Sequence, residues 1–391
     1  MDGLKRKIAL RGRDYLWVVL FLIIFINGFE SGGYQASLWS IGQTYDLSIT
    51  SMGLFAAAEL LADMLAPLLL GGWADKVGKA KSMTIMLCLQ LVSSLVVLFA
   101  PSSAVFVGGM FFMGLTTSAL QFIAIAALAD AYPVTNERRI GYITSMYAFG
   151  AVVSPLIVSL YLGLGLSWKL LFVFLGLGTA AALVGLRQVG TDPREQAPAL
   201  KTGRSSASSF LLKGILLLCV VMCIYVGFEN GFAFFVDTLF TDVLHSSTGK
   251  LALSLYWATM IPARILAGRF AKYSEKILLG AVVAIPVIAI LVSLASSGPL
   301  VLALCIPLGI ASGVVYPSVL TLMLPFAGKK TATATGMITT ATGLGGFAFT
   351  ALTGVVADAW GMRAALMVLA AFFVVSIVAV LRVHALRRTM S

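Results

Sequence analysis

The stretch GFESG, Gly28 to Gly32, comes back about 200 residues later as GFENG, Gly227 to Gly231, each inside a long apolar run. Two further landmarks repeat in the same order and at nearly the same spacing. Gly71 closes the second apolar run as Gly268 closes the eighth, and the runs GYIT and GMIT begin at Gly141 and Gly336. A chain that repeats itself at this length, with equivalent marks in the first, second and fifth segments of each half, reads as two parallel six-segment units. Parallel repeats with a site near the bilayer midplane are one architecture of secondary transporters.

The composition agrees. Of 391 residues, 60% are hydrophobic and 11% charged, against about 45–50% and about 25% in soluble domains. A bilayer-spanning helix takes about 20 apolar residues, so the length accommodates a dozen spans and excludes a large soluble domain beside them. Apolar runs fall at 15–41, 51–73, 82–100, 104–130, 140–163, 168–188, 209–240, 249–271, 277–296, 299–325, 333–357 and 363–383. The fold class expected is therefore an all-α membrane protein with twelve transmembrane helices in two six-helix bundles. The expected domains are 1–188 and 209–391, joined by a polar linker at 189–208.

The formal charge of +11 would suggest nucleic acid in a soluble chain. Here the basic residues sit in the gaps between apolar runs, so the excess is a topology signal and no nucleic-acid partner is expected. With the amino terminus inside, the outer loops hold only Lys169, Lys250 and Arg363, and the other Lys and Arg fall on the inner side or in the eighth run. This places both termini in the cytoplasm and the chain in the cytoplasmic membrane. The basic start imitates a signal peptide, but the run continues past 20 residues without a clear cleavage site and reads as a retained first span. Cys88, Cys219, Cys223 and Cys305 lie inside apolar runs, without CxxC spacing; packing thiols are expected, with no disulfide framework and no metal.

The turn after the second run, GGWADKVGKAKS at 71–82, resembles the signature loop of the major facilitator superfamily, in outline G-x-L-A-D-R-x-G-R-K. Gly71, Ala74, Asp75, Lys76, Gly78 and Lys79 fit, and Trp73 replaces the usual aliphatic residue. The second-half counterpart begins Gly268-Arg269 and puts Lys272 where Asp75 would lie, so any latch formed by these loops is asymmetric. The resemblance covers essentially the whole chain and implies alternating access of a solute between two halves. YVGFENG at 225–231 with SLYWATMIPARILAGR at 254–269 looks like the branch of fucose/proton symporters and related sugar carriers. Two departures weigh against other proton-coupled branches: no Arg precedes Gly114, and Ser154, Pro155, Val158 and Ser159 replace most of the glycine-rich fifth-span motif of drug/proton antiporters.

An ionisable side chain within a span costs a few kcal/mol on insertion scales and is a functional candidate by default. Glu30 and Glu229 each fall about 24–25 Å along their helices at about 1.5 Å per residue, and they are the expected proton-coupling pair. A carboxyl in apolar surroundings favours its protonated form, which brings its exchange toward neutral pH; a permanently protonated, hydrogen-bonded Glu is the structural alternative. The resemblance to sugar/proton carriers implies that Glu30 is the carrier of the two. Asn27, Tyr34, Gln35 and Asn230 add hydrogen-bonding groups nearby. Gln121, Tyr147, Tyr256, Trp257 and Tyr316 would suit a sugar by stacking and hydroxyl binding, although each alone is equally a packing or interface residue.

Glu59 and Asp63 stand at i, i+4 on the second span and would share a proton or meet a cation. Arg264 is the intramembrane cation available to an acid or to an anionic solute, and it resembles the carboxylate-binding Arg of monocarboxylate carriers; a structural role near the inner vestibule is its alternative. Asp237 is a weaker candidate, and Asp130 with Glu137, Arg138 and Arg139 reads as a cytoplasmic charge cluster.

No GxxxxGK[ST] run is present, and His245 and His384 lie outside the apolar runs, which leaves an ion gradient as the energy source. No nucleophile–base pair appears, so no enzyme activity and no cofactor are expected. The expected function is secondary active transport, with proton symport of a sugar-like polar solute ahead of proton-coupled efflux of drugs or transport of organic anions. The expected partners are a small-molecule solute, protons and membrane lipids, and the expected state is a monomer.

Overall fold

The computed structural model describes residues 2–131, 136–189, 211–327 and 331–388. The expected linker falls outside them from residue 190 on. Among the described residues there is no strand, and twelve segments are long and apolar enough to cross a membrane. The helices are α1 (Asp2–Tyr45), α2 (Ile49–Val77), α3 (Lys79–Leu98), α4 (Ser103–Ala131), α5 (Asn136–Gly163), α6 (Leu170–Val189), α7 (Leu212–Thr238), α8 (Gly249–Arg269), α9 (Ser274–Leu294), α10 (Gly298–Gly313), α11 (Val315–Ala327), α12 (Thr331–Trp360) and α13 (Met362–Arg388). The tenth apolar run is split at Val314, so α10 and α11 together make one span and α12 and α13 are the eleventh and twelfth. Pro67, Pro155, Pro262, Pro286, Pro307 and Pro325 lie inside helices, which spans tolerate when neighbouring groups re-satisfy the freed backbone.

The chain divides into two compact units. One holds Met1–Tyr34 with Ala62–Thr202, the other Gln35–Leu61 with Gly203–Ser391. The helix hairpin from Gln35 to Leu61 thus belongs with the carboxy-terminal helices, and α1 and α2 pass without a break from one unit into the other.

In the first unit the repeated glycines set how close α1 comes to α5. A Cβ at Gly28 would lie 2.8 Å from the Tyr147 Cα, one at Gly32 2.8 Å from the Ala151 Cα, and one at Gly150 2.6 Å from the Phe29 nitrogen. Backbone therefore packs on backbone, the arrangement that small residues permit between membrane helices. Edge-on rings of Phe106, Trp168 and Phe172 tie α4 to α6.

The second unit repeats the device between α7 and α12. A Cβ at Gly345 would lie 2.8 Å from the Cys223 Cα, one at Gly227 would enter the Phe349 ring, and one at Gly231 would lie 2.6 Å from Thr353 Oγ1. Rings of Phe228, Phe232, Tyr256 and Phe373 fill the space beside it. The hairpin is held to this unit by Trp39 Nε1 donating to Asp242 Oδ1 at 3.1 Å and Thr50 Oγ1 donating to Asp358 Oδ2 at 2.8 Å. Between those bonds, a Cβ on Gly53 would lie 3.0 Å from the Gly354 Cα.

Gly150→Ala and Gly345→Ala each push a methyl group into facing backbone and should cost about 1–3 kcal/mol. Gly163→Ala, where an added Cβ meets nothing within 4 Å, should leave the thermal midpoint of the detergent-solubilised protein unchanged. Equal midpoints for all three variants would contradict the packing described.

Candidate functional site

Each unit contains its own cluster of polar groups within the apolar interior. In the first, Asn27 and Glu30 lie on one side of α1, and both are completely buried. Asn27 Nδ2 donates to the Thr117 carbonyl of α4 at 2.9 Å, while its Oδ1 is buried without a partner among the described residues. Gln90 of α3 donates to Thr117 Oγ1 at 3.3 Å and accepts from Thr179 of α6 at 3.5 Å. Asp63 of α2 is fixed through its backbone, whose carbonyl accepts from Ser118 at 3.0 Å. Asn27 and Asp63 are thus both held against the adjacent residues Thr117 and Ser118, and the Asp63 and Glu30 carboxyls interact electrostatically.

The acid whose charge acts on Asp63 is Glu30. Glu59, its i, i+4 neighbour on α2, is buried in the segment of that helix that belongs to the other unit. Of the remaining candidates in the first unit, Tyr34 is fully buried with its ring 6.2 Å from that of Phe106, and Gln121 and Tyr147 are half-buried.

The second cluster is built on α7 and α8. Tyr225 and Glu229 stand one helical turn apart, and the Tyr225 hydroxyl donates to the Glu229 carboxylate. Arg264 of α8 interacts electrostatically with Glu229, Tyr225 and Tyr316, and its Nε is buried without a hydrogen-bond partner among the described residues. Tyr256 and Trp257 are buried, and Trp257 Nε1 donates to Gln35 Oε1 of the hairpin at 3.1 Å. Asn230 turns back onto its own helix, donating to the Val226 carbonyl at 3.1 Å. Asp237 forms a 2.5 Å ion pair with Lys250 near the end of α7.

Sequence reasoning located most of these residues but missed Tyr225, Gln90, Thr117 and Ser118. Tyr225 was within reach, since a hydroxyl one turn before an intramembrane Glu can hydrogen-bond it. Gln90 stood out as an amide within the third apolar run, whereas Thr117 and Ser118 resemble any small residue of a packed span.

The turn between α2 and α3 is described in part: Gly71 lies within α2, while the side chain of Asp75 lies outside the described residues, as do those of Asp130, Glu137, Arg138 and Arg139. Gly78 has φ 99°, a backbone conformation that a side chain strongly disfavours. Lys79 Nζ donates to the Ala126 carbonyl at 3.3 Å, Lys76 is exposed, and in the counterpart turn Arg269 is exposed.

Chemically, the first cluster offers paired carboxyls with an open amide oxygen, suited to holding a proton or a small cation. The second offers a guanidinium counterbalanced by a carboxylate and surrounded by phenols. A double-mutant cycle on Glu229→Gln and Arg264→Gln, read by thermal unfolding in detergent, should show a coupling of about 0.5–3 kcal/mol, as expected for side chains that interact directly. Strict additivity would mean that the two do not interact.

Residues 20–350 match the sequence model of the Major Facilitator Superfamily. A crystal structure of a bacterial homolog of the human lysosomal transporter Spinster, inward-facing and unoccupied, superposes with TM-score 0.81 at 16% identity, covering 95% of this chain and 97% of that one. The human organic anion transporter TETRAN superposes with TM-score 0.71 at 16% identity over 94% and 99% of the two chains. Identities this low carry the fold alone. A chloramphenicol resistance protein of Pseudomonas aeruginosa is 26% identical over 207 residues, 52% of this chain and 48% of that protein. The match therefore spans about half the length of this relative.

Proposed function

This chain belongs to the major facilitator superfamily of membrane transporters, and we propose that it is a secondary active transporter that couples the movement of a small polar solute to protons. The observation that carries this reading is the electrostatic interaction between Asp63 of α2 and the fully buried Glu30 of α1. Two carboxyls that interact in a low-dielectric interior do not both ionise easily, so the pair gains or loses a proton as a unit. Asn27, oriented by Thr117, supplies a fixed dipole beside them. In this reading Glu30 and Asp63 carry the proton, while Glu229 tunes the binding groups of the second unit.

The proposed mode is symport of a sugar-like solute by alternating access. Buried aromatic faces at Tyr256 and Trp257 and the amide of Gln35 are the groups that suit a hydroxylated solute. The excess of Lys and Arg in one set of loops favours a cytoplasmic membrane with both termini inside. The protein is proposed to act as a monomer and without enzymatic chemistry.

A second reading has its own observation. Arg264 keeps a buried Nε with an unused donor, which an organic anion would satisfy by a charge-assisted hydrogen bond. Protonation of Glu229 would strengthen this by removing the competing negative charge. Drug efflux is the remaining alternative, for which the partial match to a chloramphenicol resistance protein is the support.

The test is transport in liposomes loaded with a pH-sensitive dye, with sugars, organic acids and chloramphenicol added in turn. Under the leading reading a sugar drives proton entry, and Glu30→Gln or Asp63→Asn lowers the coupled proton flux at least tenfold while exchange of labelled solute across the membrane persists. Proton entry driven by organic acids and abolished by Arg264→Gln would transfer the reading to anions. Proton movement opposite to chloramphenicol would establish efflux, and solute movement without protons in any arm would remove the coupling proposal.

A further inference from the structure

Away from both polar clusters, one face of α9 carries a shallow groove of about 640 Å³. Its lining includes Lys276, Gly280, Val283, Ala284, Val287 and Ile288, one stripe at the helical spacing of three to four residues. The groove is open outward: Val283 and Val287 are exposed, and a Cβ added at Gly280 would meet nothing within 4 Å. From Lys276 to Ile288 it runs about 18 Å at about 1.5 Å per residue. That slightly exceeds half of the roughly 30 Å hydrocarbon core, which is the depth of one acyl chain in one leaflet.

The charged end of the groove has the character of a membrane surface. Tyr273 is exposed, and Lys272 Nζ sits 4.8 Å above its ring, an aromatic–cation pair of the kind found at headgroup level. Arg269, Lys272 and Lys276 are all exposed here. The acid of this turn, Glu275, is committed elsewhere: one carboxylate oxygen accepts from Arg387 Nη1 of α13 at 2.9 Å, and the other meets His384 Nδ1. Among the described residues no carboxylate forms an ion pair with Lys272 or Lys276. A cationic ledge therefore stands at the mouth of an apolar trough.

We propose that this groove is a binding site for an anionic phospholipid, with one acyl chain along Gly280 to Ile288 and the phosphate at Lys276 and Lys272. The chemistry is complementary at both ends. The headgroup meets two lysines without a competing carboxylate, and the chain covers apolar surface on which glycine and alanine leave room. The inference is independent of the transported solute, because none of these residues belongs to either polar cluster.

Native mass spectrometry of the full chain in detergent, titrated with phosphatidylglycerol and separately with phosphatidylcholine, tests this. The wild type should retain phosphatidylglycerol in preference. Lys276→Gln should lower that affinity about fivefold, the effect of one basic residue at an anionic surface. Gly280→Leu should reduce binding of both lipids by filling the trough, with the thermal midpoint in detergent alone unchanged. Lys276→Gln, an exposed replacement, decides the matter if the leucine variant folds poorly. Wild-type lipid binding by Lys276→Gln would overturn the proposal. Displacement of phosphatidylglycerol by inorganic phosphate alone would also overturn it, since the lysines would then be a plain anion site, as would a wild-type dimer that Gly280→Leu dissolves.

Discussion

Backbone-to-backbone packing at glycine is the constraint on which the rest of each unit depends. Lipid provides no hydrophobic force to drive helices together, so their association rests on close packing and on polar groups satisfied between them. Gly28, Gly32 and Gly150 bring α1 against α5, and Gly345 brings α12 against the α7 backbone, where Gly227 makes room for the Phe349 ring. The intramembrane carboxyls ride on those same glycine-bearing turns, Glu30 between Gly28 and Gly32 and Glu229 between Gly227 and Gly231. The residues that let the helices meet thus also determine where an acid is carried into the interior.

The charges inside the bilayer are handled differently in the two units. In the first, an acid interacts with an acid, and the hydrogen bonds of the cluster come from amides and hydroxyls of α1, α3, α4 and α6. In the second, acid meets base: Glu229 with Arg264 and, near the end of α7, Asp237 with Lys250. A paired charge is cheaper to keep in a low-dielectric interior than a lone one, and a carboxyl pair lowers its cost by sharing a proton. The two halves, alike in repeat and packing, are consequently unlike in chemistry, and the division between coupling ion and solute binding proposed for them follows that difference.

The candidate groups were visible along the chain because a charge inside an apolar run stands out one residue at a time. Glu30, Asp63, Glu229 and Arg264 could each be picked out in this way. Their partners could not. The i, i+4 spacing of Glu59 and Asp63 places both on one helix, and it gives no sign that the Asp63 carboxyl interacts with Glu30 of the neighbouring helix. Spacing reports which residues share a helix face, and says nothing of what that face meets.

By itself the sequence determined that the chain is helical and crosses a membrane twelve times, because the apolar runs have the length of a bilayer and the polar breaks between them are short. It also determined that the chain is a doubled six-span unit, since the repeat of GFESG as GFENG and of GYIT as GMIT is written in it directly. Only the tertiary structure decided that Glu30 acts on Asp63, that the Tyr225 hydroxyl bonds Glu229, and that the hairpin from Gln35 to Leu61 packs with the carboxy-terminal helices through Trp39 and Thr50. The physical reason is that periodicity encodes the orientation of each helix relative to its own axis, whereas the lateral packing that joins Glu30 to Asp63 or Arg264 to Glu229 depends on many weak contacts among helices far apart in the chain.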